Sequence, residues 1–428
     1  MDFKVVYLIC AGLDVHKKSV TAAVCITNPL TLQAKYIVKK FRTTNAGIGE
    51  LRDWLLAQHC HDACMESTGK YWIPIFNILE KEIHVILTHP KYVKAIKGKK
   101  TDKRDAKWIA NLFRFDIVKS SFIPPPEIRA LREFIRYRLK LSYMRTAEKN
   151  RYQNNMTVSN IRLDCFLTDP FGKTATNIMS YLLSDEPFDE QTCKEMIHAN
   201  VKASHEEILE SIRGYRITDE QKVKMNLVSQ HMDYIDTSIC EIEKEVSKLG
   251  QPYEEPVARI SRIAGFTEKS ALFIISEIGT DMSVFESGKH LCSWAGLVPA
   301  NNESADKKKS TRCSKAGRYL KPLLVQCALS AVKSCQQPYY KIKYQRLSKR
   351  RGKKKAIIAI ARMMLTAVYH MIKDGTEFCP SDYEAIVHPS KEAKKEFTME
   401  NIIKYLGEQG ADPETLKQIQ QQCAAANG

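Results

Sequence analysis

The chain has 428 residues, with 66 Lys and Arg against 49 Asp and Glu and a net charge of +17. At 44% apolar and 27% charged residues it is globular in composition, with room for two or three domains, which excludes disorder throughout. The excess positive charge points to a polyanionic partner and lies ahead of residue 379, because residues 379–428 carry five Lys against eight acids and leave about +20 on the rest.

In chain order, residues 1–13 lack the basic start of a secretory leader and Asp14 interrupts the apolar run, so no leader is expected. Residues 4–14 read as a buried strand, 19–27 as its hairpin partner after a polar turn at 16–18, and 36–43 as a third strand. A helix over 46–58 with Asn45 as its N-cap follows, then a strand over 63–67, a helix over 71–82 and a strand over 83–88. Helices over 90–97 and 102–114 complete the segment. Three antiparallel strands followed by αβαβα describe a mixed sheet with helices on both faces, the element order of an α/β ribonuclease-H-like sheet. His59, Cys60, His61 and Cys64 resemble half a zinc site, but no second pair follows at the usual spacing; a helix-end cluster beside a buried Cys64 accounts for them.

Pro124, Pro125 and Pro126 break the chain. A long helix is expected over 128–156 and another over 218–250. In the second, Val228, Met232, Ile235, Ile239, Ile242, Val246 and Leu249 form a heptad seam, which fits a helical hairpin or an intersubunit coiled coil. Residues 157–217 read as short helices. Residues 258–279 form a helix–turn–helix pattern turning at Gly265. A helix near 289–296, a polar loop over 299–312, a helix over 315–334, a basic connection and an apolar helix over 356–372 then make an all-α unit. Arg362 and His370 leave that last helix too polar for a membrane span of about 20 apolar residues, so no membrane partner is expected. Asp412 and Pro413 open a final helix. Thirteen Cys without framework spacing suit a reducing cytoplasm, and no Gly stands five residues ahead of a Gly-Lys pair, so there is no P-loop. The expected division is a mixed-sheet domain over 1–118, a helical region over 119–254, an all-α domain over 255–378 and a helical tail over 379–428.

Four acids stand out by position. Asp14 ends one apolar strand and Glu66 another, while Asp102 and Asp105 share a face in the first turns of a helix. Strand ends converge at a sheet edge, where carboxylates can gather around a hard cation such as Mg²⁺ or Mn²⁺ that keeps positions open for phosphate oxygens. Lys97, Lys99, Lys100, Lys103, Arg104 and Lys107 surround two of these acids and suit an incoming phosphodiester. The plainer alternative has Asp102 complementing the helix dipole behind a Thr101 cap and Asp105 pairing with Lys99 or Lys103. In the polar loop, Ser304 precedes Lys307, Lys308, Lys309, Arg312, Lys315 and Arg318, cations able to bind a phosphate and offset charge developing on it. Arg346 to Lys355 is a further basic run fit for tracking a nucleic-acid backbone.

Taken in order, Gly12-Leu-Asp-Val-His-Lys17, Glu66-Ser-Thr-Gly69, Lys100-Thr-Asp-Lys-Arg-Asp-Ala106, Gly296-Leu-Val-Pro299 and Ser314-Lys315 with Gly317 resemble the blocks of the IS one-ten family of insertion-sequence transposases. The resemblance covers about residues 8–115 and 255–375. It implies a RuvC-like N-terminal domain, a coiled-coil middle and a C-terminal transposase domain. It also implies a DEDD metal-ligand set of Asp14, Glu66, Asp102 and Asp105 with a nucleophilic Ser304, although Ala305 stands where the family often has Gly. The implied partners are target and donor DNA, a structured bridge RNA whose pairing reads sequence, and further copies of the chain in a dimer or tetramer. The rival readings are a hydrolytic RuvC-type nuclease and a non-catalytic nucleic-acid-binding protein.

Overall fold

The computed structural model describes residues 4–67, 69–93, 101–299, 302–304, 307–310, 312–388 and 412, with the backbone alone at 91, 92, 302–304 and 307–310. Two units form, residues 1–123 and 124–428.

Alternating small and branched residues make β1 (Ile9–Val15) and β2 (Ser19–Thr27), antiparallel with Asp14 opposite Thr21. β3 (Ala34–Arg42) pairs antiparallel with the outer edge of β2. After α1 (Asn45–Ala57), β4 (Asp62–Glu66) lies parallel to β1; after α2 (Trp72–Leu79), β5 (His84–Thr88) lies parallel to β4. The short α3 (Pro90–Val93) and α4 (Asp102–Phe113) follow, and the sheet order is β3-β2-β1-β4-β5. Period-two alternation sorts the strands into two faces. Ala11, Leu13, Val15, Ala63 and Met65 pack with Ile48, Leu51 and Leu55 of α1 and with Ile75 and Leu79 of α2. Cys10, Cys25 and Cys64 pack on the other face with Ile109, Ala110 and Phe113 of α4.

Two sequence expectations need correction here, and the reading of the Cys60 and Cys64 cluster is kept. β1 starts at Ile9, because the backbone N–H groups of Val6 and Tyr7 donate to Arg114 O at the end of α4 rather than joining the ladder. The N-cap of α1 is Thr44, whose extended backbone lets its hydroxyl accept from Gly47 N at 3.2 Å, and Asn45 is already helical. Cys60 belongs to the core under α1 and α2 and Cys64 to the core under α4, so the two thiols serve opposite faces of the sheet and cannot share a zinc ion.

The second unit starts with α5 (Pro126–Val158), where Pro sits in the first turn and no backbone donor is lost. The short helices α6 (Leu163–Phe166), α7 (Lys173–Leu182), α8 (Glu190–Glu195) and α9 (His205–Glu210) close a small core around Ile161, Ile178, Leu182, Ile208 and Ile212. α10 (Asp219–Gly250) then returns along α5, opened by a capping box of Thr218 and Gln221. Arg138 pairs with Glu243, Arg145 with Asp236, and Glu148 with His231, so one helix number falls as the other rises and the two run antiparallel. Leu141, Ile235 and Ile242, with Phe134, Ile239 and Val246, fill the seam between them. Among the described residues the heptad seam is therefore that of a hairpin within one chain.

α11 (Glu254–Ser261) and α12 (Glu268–Ile278) turn at Gly265, with φ of +87°. α13 (Gly288–Trp294), the strands β6 (Asn302–Ser304) and β7 (Lys307–Ser310), α14 (Leu320–Ala331), α15 (Tyr339–Arg351), α16 (Lys353–Asp374) and α17 (Tyr383–Val387) follow. The expected polar loop thus contains a β-hairpin, and the expected basic connection is α15. α16 is long and apolar enough to cross a membrane by length and composition, but half of its most apolar window is buried within the unit, as befits a core helix.

A buried ion pair joins α5 to α12. Arg136 donates to both carboxylate oxygens of Glu277 at 2.7 Å, and Arg132 donates to the Ser276 and Glu277 carbonyls at 2.8 and 2.7 Å. Glu277 is 3% exposed, so its removal leaves cationic groups without their partner. Glu277→Ala should cost about 3 kcal/mol in a urea titration, the low end for a broken buried pair because Arg136 keeps partial contact with solvent. A loss below about 1 kcal/mol would show the pair to be dispensable.

Candidate active site

Asp14 and Glu66 share the α4 face of the sheet, each lying two residues beyond a residue of that face, Gly12 and Cys64 respectively. Leu13 pairs with Met65 on the parallel strand, so Glu66 stands beside Asp14 one step further along. Thr21 on β2 lies opposite Asp14, and Lys40 on β3 lies opposite Thr21. A polar row of Glu66, Asp14, Thr21 and Lys40 therefore crosses four strands on one face.

α4 brings the remaining acids to this row. Thr101 caps the helix, its hydroxyl accepting from Arg104 N at 3.4 Å, and places Asp102 and Asp105 in the first turn, where the helix dipole favours negative charge. Gly12 lets α4 approach, since a Cβ there would lie 2.2 Å from Ala106 O. Asp14, His16 and Asp102 place one ligand atom each within 4.8 Å of one another. Glu66 and Asp105 border this group without joining it at that distance. His16 Nε2 lies 3.2 Å from Asp14 Oδ2 and 3.5 Å from Asp102 Oδ1, and Lys40 Nζ lies 3.0 Å from Asp102 Oδ2. Asp14 Oδ2 is shielded from solvent, and among the described residues its hydrogen-bonding capacity is unmet apart from the ion pair with His16.

The electrostatics separate the two aspartates. Burial pushes the Asp14 carboxyl above the usual range, with His16 opposing and the charges of Asp102 and Asp105 adding to the rise. Asp102 is held below the usual range, chiefly by its hydrogen bond from Lys40. A shielded carboxylate oxygen facing a second carboxylate is a donor set that fits a hard divalent cation. His16 and Lys40 escape sequence reasoning: His16 is two residues beyond Asp14 and so on its side of the strand, but Lys40 joins the site only through the ladder.

Other expected residues fall as follows. Lys103 and Arg104 are exposed on the first turn of α4, while Lys99 and Lys100 lie outside the described residues. In the second unit, Ser304 ends β6 and pairs with Lys307 at the tip of the hairpin that also carries Lys308 and Lys309. The hairpin's base is tight: Gly296 and Gly317 both have positive φ, and a Cβ on Gly317 would lie 2.1 Å from Ala295 O. Arg312, Lys315 and Arg318 are exposed beyond the hairpin. The basic run from Arg346 to Lys355 spans the end of α15 and the start of α16, around Gly352.

Residues 11–160 match a family model of transposases with a DEDD designation, which gives the class. Residues 257–345 match the model described as transposase, IS116/IS110/IS902 family, and the two matches together span more than half of the chain. The chain belongs to this family, as its sequence blocks lead one to expect. Pilin gene-inverting proteins of Moraxella bovis and Moraxella lacunata are each 31% identical over 121 residues, or 28% of this chain, which spans 37% of their length. A Fowlpox virus resolvase, solved with its substrate Holliday junction DNA, is 18% identical over 24% of this chain and 72% of its own, with a TM-score of 0.18.

Proposed function

We propose that this transposase is a DNA recombinase that cuts and rejoins strands through a covalent phosphoserine. The observation that carries the reading is the meeting of Asp14 and Asp102, with a carboxylate oxygen shielded from solvent, where a helix start closes onto adjacent strand ends. Its strand order and element sequence support a ribonuclease-H-like, RuvC-like N-terminal domain. Asp14, Glu66, Asp102 and Asp105 would hold Mg²⁺ or Mn²⁺, which when bound supplies positive charge to orient and polarise a scissile phosphate.

The chain's own groups do the rest. Ser304 Oγ attacks phosphorus, the Oγ–P bond forms, the P–O3′ bond breaks, and the serine proton leaves as the 3′ oxygen gains one. The hairpin cations Lys307, Lys308 and Lys309 and the following Arg312, Lys315 and Arg318 offset charge on the phosphoryl oxygens. A 3′-hydroxyl later reverses the step, so bond energy is conserved without ATP. The family resemblance further supports a bridge RNA, target and donor DNA, a dimer or tetramer, a coiled-coil role for the middle helices and a cytoplasmic setting. The four-part domain division is proposed with them.

Ser304→Ala should lose both cleavage and any protein–DNA adduct on nicked target DNA, where the intermediate cannot religate. Peptide mapping of the wild-type adduct should place DNA on Ser304. A link at Ser310 or Ser314 would move the nucleophile. Full cleavage by Ser304→Ala with no adduct would establish the hydrolytic nuclease instead.

A further inference from the structure

Beside the carboxylates lies a cavity of about 710 Å³, lined by Thr21, Val38, Lys39, Lys40, Thr101, Asp102 and Lys103. Asp102 is common to the cavity and the cation-fitting cluster, so the two are continuous. The cavity offers cations from two directions, Lys40 from the edge strand β3 and Lys103 from the first turn of α4. At the level of Lys40, Thr21 is 1% exposed and its Oγ1 has no hydrogen-bond partner among the described residues. A buried hydroxyl without a partner carries a desolvation penalty that a ligand group reaching it would remove.

We infer that this cavity seats a backbone phosphate of the DNA strand under attack, next to the one held at the carboxylates, with Lys40 as its principal cation. The inference rests on the recombinase reading of this same site. Its logic is one of charge. Lys40 pairs with Asp102 at 3.0 Å. A divalent cation on Asp102 would compete for the negative charge of the carboxylate whose Oδ2 Lys40 uses. The ammonium, 56% exposed on a flexible stem, is then left facing the cavity together with Lys103. Such a pair of unmatched cations, with a buried hydroxyl beneath, favours an anion. Because the cavity shares Asp102 with the cluster, that anion belongs to the strand lying on the carboxylates. A neutral or cationic occupant would leave both lysines unpaired.

The test uses the full-length chain as purified, with Ca²⁺ to permit binding without turnover. Labelled DNA is prepared with one phosphate at a time replaced by a neutral methylphosphonate. Wild type should lose about tenfold or more in affinity at one phosphate beside the cleavage point, the scale of a charge-assisted contact. Lys40→Gln should lower the log–log salt slope by about 0.7 to 0.9 of a unit, the signature of one lost phosphate contact, and show no further loss at that position. Lys40→Arg should restore the sensitivity, which a merely structural lysine would not require. An unchanged penalty in Lys40→Gln, or a wild type indifferent to every phosphate near the cut, overturns the subsite. The recombinase reading is scored separately, by Mg²⁺-dependent cleavage in wild type and its loss in Asp14→Asn. An absence of wild-type cleavage under those conditions would sink that reading whatever the binding scan shows.

Discussion

Asp14→Asn is expected to abolish strand cleavage while raising the unfolding temperature of the metal-free chain at neutral pH. The two effects have one cause. The Asp14 carboxyl is largely buried, its pKa raised by desolvation and by the negative charges of Asp102 and Asp105, against the opposing influence of His16. A carboxyl whose folded pKa exceeds its unfolded one favours the folded state in its neutral form. That stability is fully present below about pH 3.8 and is lost as pH rises through the raised folded value. Asparagine keeps the neutral shape at every pH, so the variant should be more stable by a few degrees at pH 7, with the gap closing in acid. A divalent cation should reverse the order by raising the melting temperature of wild type but not of Asp14→Asn. Thermal scans from pH 3 to 8, with and without Mg²⁺, measure all of this. A variant less stable than wild type at pH 7, with equal response to Mg²⁺, would show that Asp14 is structural.

Local patterns carry most of the first unit. β2 is legible from its nine residues because apolar side chains with few polar interruptions mark a buried strand, and in the second unit α10 declares itself by heptad spacing. Asp14, Glu66 and Asp102 are legible because each sits at the end of an element whose direction the sequence already indicates. What escapes is what needs partners far along the chain. β6 and β7 have too few apolar residues to show alternation, so only their mutual pairing makes them strands. α15 looks like a basic connection because its lysines and arginines mask the tyrosines that anchor it, Tyr339 and Tyr340. Lys40 meets Asp102 across 62 positions of chain, a contact that no local window contains.

Gly12 draws sequence and site together, and Gly12→Ala is expected to injure both fold and catalysis. This glycine has no positive φ to explain it; its function is close approach. A Cβ would lie 2.2 Å from Ala106 O and 2.3 Å from Ala110 N, both backbone atoms of α4 that no rotamer change can move aside. The helix must therefore rise from the sheet, loosening Ile109, Ala110 and Phe113, which are at most 3% exposed. Overpacking of this kind costs about 1–3 kcal/mol. The same displacement carries Asp102 and Asp105 away from Asp14, and a misplacement of about 1 Å can reduce turnover roughly 10²-fold. Gly49, inside α1, supplies the control, because a Cβ there meets nothing within 4 Å. Gly49→Ala should stabilise the chain by up to about 1 kcal/mol through helix propensity alone. Denaturant titration and cleavage assays of the two variants should give opposite signs in stability and a loss of activity in Gly12→Ala only. Equal behaviour would mean that α4 does not need its close seat on β1, and the convergence of the carboxylates would then lack its structural cause.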